Sequence, residues 1–248
     1  MDNAYNNSKI AAQYQAFLAS KDGQTLKKIT GEAILKRAPS SSAVILDAGC
    51  GTGWLSGQMA RAGHKIFGID GSEELLASAK KNYPQIDFKF GNLEVPLPYS
   101  PNEFNIVILN MAIHSLENEK TAIENLKAAL KPQGKIIVTI PNPYYAFPVA
   151  VWKRGIYGYL LQKKPKLKFN NEYTRLAKQI DSSYVWNGVP KIKFYPLSEH
   201  LNNFIQAGFS LSYFEELNTD SDSPEFNLNY QLYRYPLILL LEFTKTQI

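Results

Sequence analysis

The stretch Val44-Ile45-Leu46-Asp47-Ala48-Gly49-Cys50-Gly51-Thr52-Gly53-Trp54 is the most informative part of this sequence. An apolar run leads into three glycines at alternating positions, and a helix-forming segment follows. Glycine permits a tight turn and lets a ligand approach the backbone closely. The N-terminus of the next helix offers free N–H groups and a positive potential. We therefore interpret the stretch as a strand, a ligand-binding loop and a helix.

Strand and helix patterns alternate on both sides of this loop and continue to Ile140. Short apolar runs predict strands over 43–46, 65–69, 86–90, 104–109 and 135–140. Helices are predicted between them, over 54–62, 72–83 and 121–130. Such alternation builds a parallel sheet with helices on both faces. The predicted fold class is α/β, with a doubly wound, seven-stranded, mostly parallel sheet that has an antiparallel edge strand. Ligands of such sheets bind beyond the carboxyl ends of the strands.

The remaining segments complete a predicted organisation of four regions. The chain begins with a helical extension over 1–40, which precedes the ligand-binding core over 41–140. An insertion over 141–197, rich in proline, lysine and aromatic residues, is predicted to be a lid that folds over the carboxyl end of the sheet and walls the ligand site. Residues 198–248 complete the core. This region consists of a helix, whose predicted start is the last residue of the insertion, 197, and of two strands, over 210–217 and 230–243. These two strands predict an antiparallel hairpin at the sheet edge.

Charge is distributed unevenly along the chain. There are 27 basic and 22 acidic residues, and residues 151–170 contain six basic residues and no acidic one. The rest of the chain is nearly neutral, unlike a dedicated nucleic-acid binder, so no nucleic acid is expected as a partner. Apolar and basic residues mix over 147–168. This mixture is typical of a solvated lid face, and the alternative is peripheral contact with an anionic membrane surface.

The sequence also bears on where the protein works. Cys50 is the only cysteine, so no intramolecular disulfide can form, which fits a reducing compartment. The N-terminal residues are polar and do not resemble a signal peptide. No apolar run reaches the roughly 18 residues of a membrane-spanning helix. A cytoplasmic location is expected.

Two ligand classes use a glycine-rich turn of this kind. A dinucleotide site requires G-x-G-x-x-G, and Trp54 stands where its third glycine would be. Asp47 would be unfavourable beside a pyrophosphate but suits a ligand with an ammonium group, such as S-adenosylmethionine (SAM). Asp70 ends the second strand, 21 residues after Gly49, where a carboxylate can accept both ribose hydroxyls. The alternative is a glycine turn without a ligand and an Asp70 that only caps a helix.

The same stretch resembles motif I of the class I, Rossmann-like SAM-dependent methyltransferases, written as apolar residues followed by D-x-G-x-G-x-G. Other blocks resemble this family as well, namely 67–72, 91–98, 130–135, 207–209 and 239–245. The likeness covers about residues 40–140 and 197–245, and is closest to enzymes for quinones and other small molecules. Asn92 and Asn105 depart from it, because the family usually has Asp at both positions.

This resemblance implies roles for individual residues. Asp47, Gly49 and Gly51 would hold the methionine end of SAM, Asp70 the ribose, and Asn92 with Leu93 the adenine. The Asn92 carbonyl can still accept a hydrogen bond from the adenine amino group. Tyr14 resembles a tyrosine that closes over the cofactor. The remaining candidates for cofactor contact are Cys50, Gly71, Asn110 and Met111.

His114, in the loop after the fourth strand, is the candidate catalytic residue. This loop lies near the transferable methyl group in the family, and imidazole changes charge near neutral pH. A base is required only if the acceptor loses a proton, and the alternative is that His114 contacts cofactor or packs locally. His64 and His200 receive no role, and no metal site is predicted.

The position of one motif bears on which kind of molecule accepts the methyl group. Methyltransferases that act on nucleobases or glutamine amides carry an N/D-P-P-Y/F motif after the fourth strand, where this chain has Asn110-Met111-Ala112-Ile113. The similar Asn142-Pro143-Tyr144-Tyr145 follows the fifth strand instead. The sequence thus predicts transfer of a methyl group from SAM to a small or lipophilic molecule, with O-, N- and C-methylation left open. The alternatives are a SAM-binding protein without transferase activity, and a nicotinamide-dependent reductase, which Trp54 and Asp47 disfavour.

Overall fold

The computed structural model describes residues 8–144, 150–153, 166–169, 179–180, 192–193, 195–219 and 234–246. Its helices are α1 (Ser8–Ala19), α2 (Lys21–Arg37), α3 (Trp54–Arg61), α4 (Glu73–Asn82), α5 (Glu119–Ala129) and α6 (Leu197–Gln206). Its strands are β1 (Val44–Ala48), β2 (Lys65–Asp70), β3 (Asp87–Phe90), β4 (Phe104–Asn110), β5 (Leu130–Pro141), β6 (Ala150–Lys153), β7 (Lys166–Phe169), β8 (Gln179–Ile180), β9 (Ile192–Lys193), β10 (Phe209–Leu217) and β11 (Ile238–Lys245).

Seven strands form one sheet in the order β10-β11-β5-β4-β1-β2-β3. The strands from β1 to β5 are parallel, whereas β11 runs antiparallel to both β5 and β10. The predicted α/β fold class and the hairpin at the sheet edge are confirmed. The chain moves outward from β1 to β3 and then returns to place β4 on the other side of β1. The carboxyl ends of β1 and β4 therefore flank the switch point where ligands of such sheets bind.

Both faces of the sheet are covered, as the unbroken apolar runs of the central strands predict. In β4, Val107 and Leu109 belong to the core on one face, and Ile106 and Ile108 to the core on the other. All four side chains are at most 3% exposed. Burial of each contributes about 1.5–3 kcal/mol relative to exposure. This rigid double-faced core fixes the positions of the loops at the carboxyl edge.

The element boundaries follow local capping signals. The Ser72 hydroxyl accepts a hydrogen bond from the Leu75 amide, so α4 begins where the sequence predicts. Helix α5 begins two residues earlier than predicted, because the Asn118 side chain accepts from the Thr121 amide at 3.1 Å. The last strand begins at Ile238, not at 230. No helix within the described ranges has the length and apolar character to span a membrane.

Two buried polar links tie distant elements to the sheet. Glu242, 1% exposed on β11, accepts hydrogen bonds from Arg37 Nε and Lys135 Nζ, each at 2.9 Å. Burial opposes ionisation of Glu242, but these bonds outweigh it and keep its pKa below the ordinary value. At the other side of the sheet, Asn105 Oδ1 accepts from the Val44 amide at 2.9 Å. Asn105 therefore aligns the start of β1 with β4.

Most of the insertion over 141–197 lies outside the described residues, and so do the side chains of its short strands. The predicted lid and the predicted membrane contact over 147–168 fall there and stay predictions. One backbone contact bears on the insertion: β9 packs against the 3-10 turn Ile113–Ser115, which follows β4. The end of the insertion thus reaches the carboxyl edge of the sheet.

Candidate functional site

The glycine loop joins β1 to α3 at the switch point of the sheet. Gly49, Gly51 and Gly53 all have positive φ, at 77°, 52° and 72°. A Cβ on Gly49 would lie 2.6 Å from the Ala112 Cβ, and one on Gly53 would lie 2.7 Å from the Phe88 ring. At Gly51 the nearest atom is Tyr14 Cε1 at 3.8 Å. Packing therefore requires the outer two glycines, whereas a Cβ on Gly51 would make only ordinary contacts, with Tyr14 and Leu75.

Asp70 joins the end of β2 to this loop. Its Oδ2 accepts from the Gly51 amide and its Oδ1 from the Ser72 amide, each at 2.8 Å. Burial raises the pKa of Asp70, and the two N–H bonds partly offset the rise. A carboxylate has about four acceptor positions, so two remain for a ligand. The carboxylate is thus held rigidly while it can still bind a pair of hydroxyls.

Asp47 lies deeper, at the end of β1. It is 2% exposed, and its Oδ2 accepts from the Ser56 hydroxyl at 2.5 Å. Burial raises its pKa to about 6, the Ser56 bond acts against the rise, and the nearby charge of Asp70 adds to it. A buried carboxylate of this kind is stabilised by a cation. The position suits the ammonium group of an amino-acid ligand.

The loop after β4 turns back toward the glycine loop. Met111 has a φ of 54°, which is uncommon outside glycine, and its amide donates to the main-chain oxygen and the hydroxyl of Thr139 at 3.1 and 3.0 Å. The same hydroxyl donates to Asn110 Oδ1 at 2.7 Å. These bonds hold a backbone conformation that costs about 1–2 kcal/mol. They also place Ala112 against Gly49.

A second loop, after β3, borders the site beside Asp70. The Gly91 amide donates to the Asp70 main-chain oxygen at 3.0 Å, and Leu93 is 5% exposed. The Asn92 side-chain oxygen accepts from the Glu94 amide at 2.9 Å, so its carbonyl is already partly used in shaping the loop. Asn125 supports the loop by donating to the main-chain oxygens of Leu93 and Val95, each at 2.9 Å. No motif or spacing in the sequence pointed to this role of Asn125.

His114 occupies the 3-10 turn after β4 and is 8% exposed. Burial, followed by the charge of His200, lowers its pKa to about 4. No described residue lies within hydrogen-bond distance of its Nδ1. The imidazole is therefore neutral at physiological pH and retains an unused ring nitrogen. No group of three or more metal-ligating side chains occurs in the described ranges.

Trp54 begins α3, at the position where a dinucleotide site would have its third glycine. Its indole lies against α2, where a Cβ on Gly31 would be 3.2 Å from Trp54 Cζ3, and Lys27 lies over its ring. The first residue of α3 thus packs between helices. Cys50 and Gly71 occupy their expected positions, in the glycine loop and beside Asp70; Cys50 is buried and its amide donates to the Ile69 oxygen at 3.1 Å.

Comparison with known proteins agrees with this geometry. Residues 46–138 match the family described as methyltransferase domain. A malonyl-[acyl-carrier protein] O-methyltransferase from Erwinia pyrifoliae is 30% identical over 139 residues, 55% of this chain and 53% of that protein. The chain thus spans about half the length of this relative. A demethylmenaquinone methyltransferase from Chlorobaculum parvum is 27% identical over 209 residues, 81% of this chain and 76% of that protein.

A solved structure extends the likeness to nearly the whole fold. The SAM-dependent methyltransferase from Mesorhizobium loti has a TM-score of 0.71 at 24% identity, over 86% of this chain and 96% of that one. The fold, with the glycine loop at its switch point, is the fold of this SAM-dependent methyltransferase. Residues 46–138 match the methyltransferase domain family, and this match together with the fold implies S-adenosylmethionine as the cofactor.

Proposed function

We propose that this protein transfers a methyl group from S-adenosylmethionine to a small, lipophilic acceptor. The observation that carries the proposal is the cradle formed by Gly51, the Asp70 carboxylate that its amide binds, and the nearby Tyr14. The described residues that form the cradle offer backbone groups and a carboxylate to a ligand. None of them carries a positive charge that could bind a phosphate. It fits a ligand that combines ribose with an amino-acid end.

Each part of the cofactor has a matching group. Asp70 would bind the ribose hydroxyls with its two unused acceptor positions. Asp47 would face the ammonium group, with Gly49 and Gly51 giving access to the methionine end. Leu93 would contact the adenine, and Asn92 would retain one acceptor position for its amino group. Cys50, Gly71, Asn110 and Met111 would complete the wall, and Tyr14 would close it.

The protein needs to form few or no covalent bonds during this reaction. When bound, SAM would supply a methyl group to the acceptor's nucleophilic atom, and the electron pair of the broken C–S bond would remain on sulfur. Positioning of the nucleophile can supply much of the rate. His114 would receive the proton of an acceptor that has one to lose, because Nδ1 has no hydrogen-bond partner among the described residues.

The acceptor class is inferred from the relatives and from the insertion. The relatives act on demethylmenaquinone and on a malonyl thioester carrier, as their names state. We expect residues 141–197 to form a lid over the site, because β9 already packs on the turn that carries His114. A lid rich in aromatic residues would exclude water and surround an apolar acceptor.

Calorimetry and a transfer assay test the proposal together. The purified chain is titrated with SAM, S-adenosylhomocysteine, NAD and NADP. It is then incubated with methyl-labelled SAM and either demethylmenaquinol or a malonyl thioester. Binding of the two adenosyl compounds and label in an acceptor are expected. Binding of NAD or NADP alone would overturn the proposal. SAM binding without transfer to acceptors of either class would favour a binding protein that is not a transferase.

A further inference from the structure

Three polar side chains lie on neighbouring strands at the carboxyl edge of the sheet, beside the glycine loop. They belong to Asp47 of β1, Asn110 of β4 and Thr139 of β5, and β4 lies between the other two strands. Each of them follows, by two positions, an isoleucine of one and the same core, namely Ile45, Ile108 and Ile137. Residues two positions apart in a strand point to the same face of the sheet, so the three side chains share one face.

The register of the strands sets the separation of these side chains. Asn110 is paired with Thr139, and Asp47 is paired with Ile108, two positions before Asn110. The strand spacing and the rise per residue place the Cα atoms of Asp47 and Asn110 about 8 Å apart. An amino-acid group carries its ammonium and its carboxylate on one carbon and can bridge side chains at this separation. If Asp47 faces the ammonium group, the carboxylate of the same ligand lies within reach of Asn110.

The glycine loop already uses most of its amides within the protein. Four of them donate to main-chain oxygens or to the Asp70 carboxylate, namely those of Gly49, Cys50, Gly51 and Gly53. The acidic side chains that border the loop, Asp47 and Asp70, repel an anion. A carboxylate at the amino-acid end of a ligand therefore needs a donor from another element.

Asn110 has such a donor. Its side chain is partly exposed, and its Oδ1 accepts a hydrogen bond from the Thr139 hydroxyl at 2.7 Å. Within the described ranges, no residue accepts a hydrogen bond from its Nδ2. A side-chain amide nitrogen carries two hydrogens, and both are available to a ligand here.

Thr139 determines which end of the Asn110 amide faces the ligand. Thr139 is 0% exposed, and its hydroxyl oxygen accepts from the Met111 amide at 3.0 Å. The hydroxyl donates its one hydrogen to Asn110, so the oxygen end of the amide must face Thr139. Because β4 lies between β5 and β1, the amino end is turned away from β5 and toward the glycine loop.

We propose that Asn110 binds the carboxylate of the cofactor's amino-acid end through Nδ2, and that Thr139 is the positioning residue that holds the amide in this orientation. The inference rests on the proposed function, because it takes SAM as the ligand. It assigns the two charges of the amino-acid end to adjacent strands, with the ammonium group at Asp47 and the carboxylate at Asn110.

Calorimetry with two ligands tests the role of Asn110. S-adenosylhomocysteine has the amino-acid end, whereas 5′-methylthioadenosine keeps the adenosine and the thioether and lacks that end. In Asn110→Ala, the affinity for S-adenosylhomocysteine should fall about tenfold or more, as expected when a hydrogen bond to a charged group is lost. The affinity for 5′-methylthioadenosine should stay at the wild-type value. Equal losses for the two ligands would show general damage to the site and would overturn the inference.

The role of Thr139 is tested with a pair of variants. Thr139→Val keeps the shape of the side chain without the hydroxyl, and should weaken S-adenosylhomocysteine about three- to tenfold, as for loss of a neutral hydrogen bond. Thr139→Ser keeps the hydroxyl and should restore the wild-type affinity. Neither variant should change the affinity for 5′-methylthioadenosine. Wild-type affinity for S-adenosylhomocysteine in a folded Thr139→Val variant would overturn the positioning role.

Thr30→Val is the matched control for Thr139→Val. Thr30 is also 0% exposed, and its hydroxyl donates to the Leu26 oxygen at 2.8 Å within α2. This variant should melt at a lower temperature than the wild-type protein and keep both affinities. Should either test variant not fold, Asn110→Ser or Thr139→Ala replaces it under the same criteria.

The wild-type protein separates failure of this inference from failure of the proposed function. Equal affinity for the two ligands would overturn the inference alone, because the amino-acid end would then contribute nothing to binding. Binding of neither ligand would contradict the proposed function and the inference together. Tight binding of S-adenosylhomocysteine without methyl transfer would contradict the proposed transfer, and the variants would still decide the roles of Asn110 and Thr139.

Discussion

The main-chain amide of Gly51 donates a 2.8 Å hydrogen bond to Oδ2 of Asp70. This bond joins the glycine loop after β1 to the acid at the end of β2, so the two parts of the site form one rigid unit. A ligand that binds Asp70 therefore also contacts Gly51. A substitution at either residue removes or alters the hydrogen bond that holds the other in place.

Replacement of Asp70 by alanine should weaken SAM binding at least tenfold. Two hydrogen bonds from the ribose would be lost, and bonds to a charged group contribute about 1.5–3 kcal/mol each. Calorimetry measures the effect. Glu74→Ala is the control, because it removes an exposed carboxylate from the neighbouring helix α4. Equal affinity of a folded Asp70→Ala variant and the wild-type protein would contradict the ribose assignment.

Gly51→Val should abolish stabilisation by SAM. The valine side chain would occupy the cradle, where the Tyr14 ring lies 3.8 Å from the added Cβ, so it would fill the space proposed for the ligand. Gly63→Val is the matched control, because Gly63 also has positive φ, at 93°, and no atom within 4 Å, but lies at the opposite end of α3. Both variants carry backbone strain, so both should melt lower without ligand. Only Gly51→Val should fail to gain melting temperature when SAM is added.

Asp47→Asn should stabilise the protein without ligand at pH 7.5 and weaken SAM binding. The pKa of Asp47 rises from 3.8 to about 6 on folding. The folded state therefore holds the proton more tightly, and stability falls as pH rises from about 4 to 6, by roughly 3 kcal/mol at most. An asparagine side chain does not ionise, so the variant avoids this loss of stability. Its side-chain oxygen can still accept a hydrogen bond from the Ser56 hydroxyl. Urea denaturation at pH 5 and 7.5 checks the prediction, which fails if the two proteins lose stability equally between these values.

Exchange of amide hydrogens should slow within residues 141–197 when S-adenosylhomocysteine and an acceptor bind together. We expect this because the insertion would close over the acceptor, with β9 already seated on the turn after β4. Hydrogen-exchange mass spectrometry with demethylmenaquinol as the acceptor measures it. Exchange that ignores both ligands but slows with anionic vesicles would instead support membrane contact through 147–168.

The sequence predicted those features that depend on local patterns. Apolar runs and the spacing of Gly49, Gly51 and Gly53 were enough to predict the strands, the loop and its position in the sheet. Residues that form hydrogen bonds with each other but lie far apart in the sequence left no such pattern. Asn105 looked like an unexplained departure from the family, yet its amide aligns β1 with β4. His200 received no role, because its link to Glu119 spans 81 residues and appears only when α5 and α6 pack together.

The bond between Arg37 and Glu242 sets limits on how the chain can be shortened. The two residues lie 205 positions apart, yet they share one buried ion pair. A chain trimmed to begin at the first strand would leave the buried Glu242 carboxylate with only Lys135 and the Ser212 hydroxyl as partners, which should lower the stability of the fold. The α2 helix therefore contributes to the stability of the sheet through its last residue, although it adds no strand to it.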